Sequence, residues 1–398
     1  MARAALLAVV VVCGFFAFIN GVALAFVPVY GAALVVPLSL AWSWWAERHL
    51  TLSRTAPDRH HMVGELFPQQ FTLSNTSWLP IAMAEVVDRS GLPGGEQAVA
   101  ASLGPHQRAT WGQELRLTTR GQYRLGPTEV RVSDPFGLFP RTVSFPATGS
   151  VLVFPLLYPL SDLALVGARA GLESERGGRP RDLPPSASGV REHDPADGIN
   201  RIHWISTARQ GRLMSRTFDA EEGADLLVVL DLRRGIQAGT GPESSLEYAV
   251  TMAASLAHAA LRRGRAVAFL GTGRSLTWLP AARGDAQDQL LLEKLALCQA
   301  DGQLPLGRIL PRHLPEWRSR GSVVVVTSDP SGEWVEAVAA SSQPGRRAVA
   351  IFVDPMSFAP QPALTRIPAQ WRLVLDFWVI RQGDDLARVD PSSRRAVG

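Results

Sequence analysis

The feature that most constrains this chain is an N-terminal run without a single charged residue, from Ala4 to Ala46. One helix crosses a bilayer with roughly 20 residues, so a run of this length predicts two membrane spans in a tight hairpin. The turn is expected at Asn20-Gly21 or in the region around Pro28. We therefore assign residues 1–54 to a transmembrane hairpin and its juxtamembrane segment.

Aromatic and basic residues flank the run and predict its orientation. Three tryptophans stand where an interfacial aromatic belt belongs, at the end of the second span: Trp42, Trp44 and Trp45. Basic residues lie on both sides: Arg3 before the first span, and Arg48, His49 and Arg54 after the second. The positive-inside rule then predicts an inner (plasma) membrane protein whose soluble part is cytoplasmic. A cleaved signal peptide competes, but the run is about twice the usual apolar length or more and lacks a clear cleavage site.

Residues 55–155 predict a β-sandwich domain, because apolar and polar residues alternate between Pro and Gly turns. The strand-like segments are residues 65–75, 81–88, 113–126 and 128–139. Lone aromatic residues in strands usually serve cores, so Tyr123, Phe136 and Phe139 are expected to pack inside the domain or between domains. Residues 151–160 predict a buried strand or a strap that leads out of the domain.

The composition changes after this domain. From Gly171 to Ser188 the chain is rich in Gly, Pro, Arg and Ser without apolar periodicity, which predicts a flexible connector within residues 156–222. Three arginines of the connector could touch phosphate or an acidic partner: Arg176, Arg179 and Arg181. A solvated connector is the simpler interpretation of these charges.

Residues 223–381 alternate strand and helix patterns, which predicts a doubly wound α/β domain. Strands are expected at 225–232, 265–271, 322–329 and 347–354, with a fifth within 371–380. Helices are expected at 245–264, 286–300 and 333–342. Residues 382–398 are predicted to be a polar tail.

The stretch from Gly189 to Arg216 is dense in Arg, Asp and His, with large apolar residues set between them. Charged groups beside apolar ones stay ordered only where each finds a partner, since an unpaired buried charge costs several kcal/mol or more. The stretch therefore predicts an ion-paired network. Its arginines are Arg191, Arg201 and Arg209, and its carboxylates are Glu192, Asp194 and Asp197.

This stretch resembles the signature of the bacterial "domain of unknown function fifty-eight" family. The signature reads G-x-R-x-Y-x-x-G-D, then I-x-W-x-x-S/T-A-R, then a closing L-x-x-R. The matching residues are Gly189, Arg191, Asp197, Ile202, Trp204, Thr207, Ala208, Arg209 and Arg216. His193 replaces the usual aromatic residue and Ala196 replaces a glycine, which bears on the local turn. Residues 120–127 and 133–139 also resemble segments that precede the signature in the family.

The resemblance implies a multidomain architecture that runs from paired N-terminal spans to a von Willebrand A-like C-terminal domain. It also implies partnership with a MoxR-type AAA ATPase, as an adaptor in assembling or maturing other proteins, because family members are commonly found beside such ATPases. The contact surface would be Arg191, Asp197, Trp204 and Arg209, with the crevice near Asp231. A passive scaffold for cell-envelope machinery is an alternative.

Two carboxylates at strand ends, Asp231 and Asp329, could face the crevice where doubly wound sheets bind ligands. The metal site of von Willebrand A domains uses D-x-S-x-S, whereas this chain has Asp-Leu-Arg-Arg-Gly at 231–235. Magnesium needs near-octahedral oxygen ligation, which two carboxylates alone would struggle to provide. We therefore expect a degenerate site in which Asp231 pairs with Arg233 or Arg234, and no metal or cofactor.

An enzyme is the other functional class. His193, Asp194 and His203 match no familiar ligand spacing, and Ser206 and Thr207 are interpreted as hydrogen-bonded structural residues. We therefore expect no catalysis; a hydrolase centred on His203 with Asp194 or Asp197 is the alternative.

Composition narrows the partners of this chain. Its two cysteines, Cys13 and Cys298, are too far apart in sequence to suggest a disulfide framework, and they offer no Cys-based zinc site. A net charge of +4 is small for 398 residues and by itself argues neither for nor against nucleic acid. Because a basic nucleic-acid domain would normally show a clustered stripe, we expect no nucleic-acid partner. The expected partners are the lipid bilayer and other proteins.

Overall fold

The structure is a computed structural model. It describes residues 2–20, 23–57, 60–94, 97–160, 189–192, 204–217, 225–317, 321–340, 348–360, 365–368, 370–371 and 375–388. These residues form two compact units, Met1–Phe154 and Pro155–Gly398. Helices and β-sheets are both present, as the predicted mixed fold class requires.

Two apolar helices open the first unit, α1 (Ala2–Asn20) and α2 (Val27–Arg48), with a 3-10 turn at Ala23–Phe26 between them. Pro28 lies in the first turn of α2, where its missing N–H would have had no helical partner. Among the described helices, α2 is long and apolar enough to cross a membrane, whereas the apolar part of α1, Leu6–Ile19, is shorter. A signal sequence shares these properties, so the two-span hairpin stays a prediction.

Ten strands complete the first unit. They are β1 (Leu50–Thr55), β2 (His61–Met62), β3 (Leu66–Asn75), β4 (Ile81–Asp88), β5 (Ala98–Leu103), β6 (Arg108–Arg116), β7 (Gly121–Leu125), β8 (Thr128–Val132), β9 (Arg141–Phe145) and β10 (Gly149–Phe154). Their sheets have the orders β1-β3-β6, β2-β10-β7 and β5-β4-β8-β9. An apolar cluster joins the first and third sheets through Leu73, Ile81 and Val130. The finer assignment of a β-sandwich stays a prediction.

The three aromatic residues expected to pack in this unit differ in burial. Tyr123 is half-buried against the cluster around Phe67, and Phe139 is half-buried as well. The expectation is wrong for Phe136, which is 58% exposed. The reason is a local turn: the Asp134 carboxylate accepts hydrogen bonds from the backbone N–H groups of Phe136 and Phe139, and Leu138 is buried instead.

The first strand of the second unit, among the residues that the structure describes, opens the family-like stretch. Its strands are β11 (Gly189–Glu192), β12 (Met214–Thr217), β13 (Leu226–Leu230), β14 (Gly239–Thr240), β15 (Glu243–Ser244), β16 (Val267–Thr272), β17 (Leu276–Ala282), β18 (Ser322–Thr327), β19 (Ala348–Val353) and β20 (Asp376–Ile380). Its helices are α3 (Trp204–Gln210), α4 (Ser245–Arg262), α5 (Asp285–Leu297), α6 (Leu306–His313) and α7 (Glu333–Ala340). Short 3-10 helices lie at Arg234–Ile236, Leu314–Glu316, Pro355–Phe358 and Leu386–Arg388.

A six-stranded sheet with the order β17-β16-β13-β18-β19-β20 forms the core of this unit. β13, β18 and β19 are buried at every position, which explains their unbroken apolar runs, because central parallel strands are covered on both faces. Counted within the sheet, the order is 3-2-1-4-5-6, a doubly wound arrangement with its switch point between β13 and β18.

The edge strand β17 and the helix α6 are among the elements of this unit that were not predicted. β17 pairs antiparallel with β16 at the edge of the sheet and contains Pro280, and α6 is a short helix that contains Pro311. The expected fifth parallel strand is present as β20 and pairs with β19.

Candidate functional site

The candidate site lies where β13 and β18 end side by side. The two strands are parallel neighbours, with Leu230 opposite Val326, so the residues that follow them share one edge of the sheet. Asp231 and Asp329 occupy this edge at the switch point, where doubly wound sheets form their ligand crevice. Both carboxylates are buried.

Asp231 is surrounded by hydrogen-bond donors from three strand ends. Its Oδ2 accepts from the Thr327 hydroxyl at 2.8 Å, and its Oδ1 accepts from the Arg233 backbone N–H at 3.1 Å. The Thr272 hydroxyl lies 3.4 Å from the same Oδ1. Burial raises the pKa of Asp231 above its ordinary value, and the donors from Thr327 and Arg233 offset this only in part.

Asp329 forms an ion pair with the guanidinium of Arg233 in the crevice. Its Oδ2 lies 2.6 Å from Arg233 Nη2, and its Oδ1 accepts the Ser331 backbone N–H at 2.9 Å. The backbone carbonyl of Asp329 also accepts the Trp334 indole N–H at 3.0 Å. The predicted pairing of Asp231 with Arg233 or Arg234 is therefore corrected, because the guanidinium of Arg233 bonds to Asp329 and its backbone N–H bonds to Asp231.

These residues do not fit a divalent metal. The two serines of the von Willebrand A pattern are Arg233 and Gly235 here, and the cationic side chain of Arg233 already occupies a carboxylate oxygen. No group of three or more metal-ligating side chains occurs among the residues that the structure describes. The donor set instead suits an anionic or polar group approaching Arg233, which is 19% exposed at its side chain.

We expect Asp231→Asn to stabilise the second unit at neutral pH. Because the pKa of Asp231 is raised, the native state binds this proton more tightly than the unfolded chain does, so wild-type stability falls as pH rises from the ordinary aspartate value through the native one. The asparagine keeps an oxygen acceptor for Thr327, and we expect a gain on the order of 1 kcal/mol at pH 7 that disappears at low pH. Hydrogen exchange of the β13 and β18 amides at neutral and at low pH measures this change in stability.

Asp329→Asn is the matched control, with the opposite sign. It removes the carboxylate that neutralises Arg233 and should destabilise the same strands. If Asp231→Asn were instead less stable than wild type at pH 7, the raised pKa would be the wrong description of this crevice.

The two ends of the family-like stretch meet in an antiparallel ribbon. β11 pairs with β12, so Val190 lies opposite Arg216 and Arg191 opposite Ser215. The ribbon thus brings the backbones of Gly189, Arg191 and Arg216 together at the base of the stretch. His193, Asp194, Asp197, Arg201, Ile202 and His203 lie outside the described residues, so the predicted ion-paired network stays a prediction.

Helix α3 exposes its apolar side chains. Trp204 and Ile205 are each 63% exposed, and Arg209 is exposed at the other end of the helix. The helix ends at Gln210, and Gly211 after it has a left-handed φ of 68°, which glycine adopts without strain; the Gly211 N–H donates to the Thr207 carbonyl. The Thr207 hydroxyl accepts the Met214 N–H at 3.0 Å, which fixes the turn from α3 into β12.

Sequence reasoning missed several residues of the crevice. Thr327 and Thr272 provide its hydroxyl donors, and Trp334 fixes the loop behind Asp329. Asp354 was also missed: it follows β19 and clamps the Thr365 hydroxyl at 2.6 Å. The sequence signal that could have identified these residues is a polar residue directly after a fully apolar strand, as in Val-Val-Val-Val-Thr-Ser-Asp at 323–329.

The chain resembles proteins whose activities are not described. A curated relative from Bacillus subtilis (strain 168), "Uncharacterized protein YeaD", is 26% identical over 220 residues, which is 54% of this chain and 53% of that protein. The chain thus spans about half the length of the curated relative it matches.

Among solved structures, von Willebrand factor type A from Catenulispora acidiphila matches with 14% identity and a TM-score of 0.28, covering 44% of this chain and 42% of that chain. The CARDB domain of the PF1109 protein from Pyrococcus furiosus matches with 19% identity and a TM-score of 0.20, covering 26% and 86%. The model of the family described as "Protein of unknown function DUF58" matches residues 189–357. This segment therefore carries the domain of the "domain of unknown function fifty-eight" family, as its signature predicted.

Proposed function

We propose that this chain is a membrane-anchored, cytoplasm-facing protein-interaction module, and that it acts as an adaptor for a MoxR-type AAA ATPase. The observation that carries the proposal is the exposure of Trp204 and Ile205 within the stretch that identifies the family. With Leu213, which is also exposed, we call these residues the signature patch. Large apolar side chains that cluster on a surface mark interaction sites, and tryptophan is among the residues most enriched at their energetic centres.

The crevice supports binding rather than catalysis. Both oxygens of the Asp231 carboxylate already accept hydrogen bonds, and an oxygen of Asp329 is paired with Arg233. A general base needs a carboxylate or imidazole that can reach a substrate proton, and these carboxylates are engaged. Arg233 remains as a partly exposed cation that could hold an acidic side chain of a partner.

The apolar N-terminal helices support membrane anchoring. Leu7, Val12 and Phe15 are exposed on α1, and Tyr30 and Leu34 are exposed on α2, which suits contact with lipid. The basic residues after α2 favour a cytoplasmic position for the rest of the chain. The ATPase partner comes from the family resemblance, and the signature patch is the surface that we assign to it.

We expect Trp204→Ser to weaken capture of the ATPase from detergent-solubilised membranes. The substitution removes the largest exposed apolar side chain of the signature patch, and hot-spot truncations lose 2 kcal/mol or more, roughly 30-fold in affinity. The measurement is co-purification of the MoxR-type ATPase with the full chain at its native level, quantified by mass spectrometry.

Trp78→Ser is the matched control, because Trp78 is 65% exposed in the first unit and lies outside the signature patch. It should leave capture unchanged. Recovery of no ATPase with the wild-type chain would contradict the adaptor role, and crosslinking that returns only envelope proteins would favour a passive scaffold. Turnover that is lost in a normally folded His203→Ala protein would favour a hydrolase.

A further inference from the structure

The last part of α2 belongs to the β-sheets rather than to a free membrane helix. Ser39, Ser43 and Ala46 are buried, and their spacing places them on one face of the helix. Ala46 joins the apolar cluster of β1, β3, β4 and β8, and Arg141 donates to the Glu47 carboxylate at 2.8 Å. Through this face the end of α2 packs against the sheet that contains β8 and β9, while Leu40 and Trp44 on the rest of the helix surface are exposed.

The part of α2 that stays free is too short to cross a bilayer. The part of α2 without a buried side chain runs from Val27 to Leu38, about 12 residues, which at about 1.5 Å per residue reaches roughly 18 Å. The hydrocarbon core of a bilayer is about 30 Å thick. Exposed apolar side chains follow this part from end to end: Val27, Tyr30, Leu34 and Leu38.

A loop of the first unit lies beside the hairpin at the level where the free part ends. We call residues 134–139 the aromatic loop. Leu138 and Phe139 of this loop wall a groove of about 510 Å³ together with Leu6, Val10 and Pro37 of the two helices. The aromatic loop is thus in contact with the hairpin well before the last turns of α2.

The aromatic loop is held rigidly with its tip outward. The buried Asp134 carboxylate accepts the N–H groups of Phe136 at 3.0 Å and Phe139 at 2.7 Å. Burial alone would raise the pKa of Asp134, but backbone donors including Phe139, Leu138 and Phe136 bring it below its ordinary value, so the anion is retained. Phe136 therefore projects an exposed ring beside a membrane-inserting hairpin, which is where interfacial aromatic residues belong.

Two complete spans would draw polar structure into lipid. The whole length of α2 would have to enter the hydrocarbon core. The Arg141–Glu47 pair and the edge strand β9 would then enter it as well. Backbone groups on an open sheet edge find no partner in hydrocarbon, at several kcal/mol each. Insertion to the level of the aromatic loop avoids this cost.

We propose that the hairpin enters only one leaflet of the bilayer and that the aromatic loop lies at the membrane surface, with Phe136 among the lipid headgroups. The partner of this surface is the lipid of the cytoplasmic leaflet. The inference rests on the proposed membrane attachment and replaces its two spans with a re-entrant hairpin.

Cysteine accessibility at the hairpin turn tests the proposal. Leu24 is 78% exposed in the turn between the helices, so Leu24→Cys is placed in a full chain that carries Cys13→Ser and Cys298→Ser. A membrane-impermeant maleimide is added to right-side-out spheroplasts, to inside-out vesicles and after detergent. A re-entrant hairpin buries this position in lipid, so labelling before detergent should be about a tenth or less of labelling after it, from both faces.

Trp78→Cys in the same background is the control for orientation, and it should be labelled only in inside-out vesicles. Labelling of Leu24→Cys from outside would overturn the re-entrant hairpin and support two spans. Recovery of the chain in the soluble fraction, without membranes, would instead overturn the proposed attachment, so the two failures are distinguishable.

A spin label gives a second readout that does not depend on the turn. In the same cysteine-free background, a nitroxide attached through Phe136→Cys should collide with oxygen more often than with a water-soluble nickel chelate when the protein is in vesicles. The same label attached through Trp78→Cys should show the reverse. Equal, water-like accessibility at both positions would overturn the placement of the aromatic loop in the headgroups.

Discussion

Trp334→Ala is expected to destabilise the second unit by about 3–5 kcal/mol, the range for truncating a large buried aromatic side chain. Trp334 is fully buried and packs with Trp371 at 5.7 Å and Phe377 at 6.4 Å between ring centroids. Its indole N–H also holds the backbone carbonyl of Asp329. The substitution therefore opens a cavity in the core and releases the loop that places Asp329 against Arg233.

Hydrogen exchange of β18 and α7 in the full chain measures this loss. Each 1.4 kcal/mol is tenfold in an opening equilibrium, so exchange should accelerate by roughly two to three orders of magnitude. Trp334→Phe is the matched control, because it keeps most of the ring and removes the hydrogen bond, at about 1 kcal/mol. If the two variants exchanged equally fast, the indole N–H rather than the aromatic packing would dominate.

Arg54→Met is expected to destabilise the first unit by about 3–5 kcal/mol, because it leaves a buried carboxylate without its cation. Arg54 and Asp88 are almost completely buried, with Nη2 and Oδ2 3.1 Å apart and Nη1 and Oδ1 3.3 Å apart. Gln69 accepts a further hydrogen bond from the guanidinium, and the Ser90 hydroxyl donates to Asp88. Burial lowers the pKa of Arg54, and the charge of Asp88 opposes that shift.

The double variant Arg54→Met, Asp88→Leu separates the unpaired charge from the lost packing. Replacing both members of a buried pair by apolar residues removes the stranded carboxylate, so the double variant should be more stable than Arg54→Met alone. Hydrogen exchange of β1 and β4 in the detergent-solubilised chain reports the difference. A double variant as unstable as the single one would show that geometry, not charge, accounts for the loss.

The sequence predicted the elements whose pattern depends on burial alone. β4 was predicted at its observed bounds, and the apolar runs of β13, β18 and β19 identified the centre of the doubly wound sheet. Edge and short elements were missed for the converse reason. β17 is largely exposed and contains Pro280, and α6 contains Pro311, so neither presents the periodicity on which prediction depends.

The pairing of the site could not be read from neighbouring residues. Asp231 was expected to pair with Arg233 or Arg234, two or three residues away, yet the guanidinium of Arg233 bonds to Asp329, which adjacent parallel strands bring beside it. The exposure of Phe136 was missed for a different, local reason, because the carboxylate of Asp134, two residues earlier, turns the backbone. The local sequence identifies candidate site residues, but it does not determine which side chains they contact in the folded protein.

The proline in β17 bears on aggregation. An edge strand with free N–H groups can template the addition of a strand from another molecule, and proline removes one such donor. Pro280 lies where the register of β17 against β16 shifts, which bends the edge as well. We therefore expect fibril-like growth by strand addition to be disfavoured along this edge of the sheet, which would help keep the domain dispersed at high local concentration.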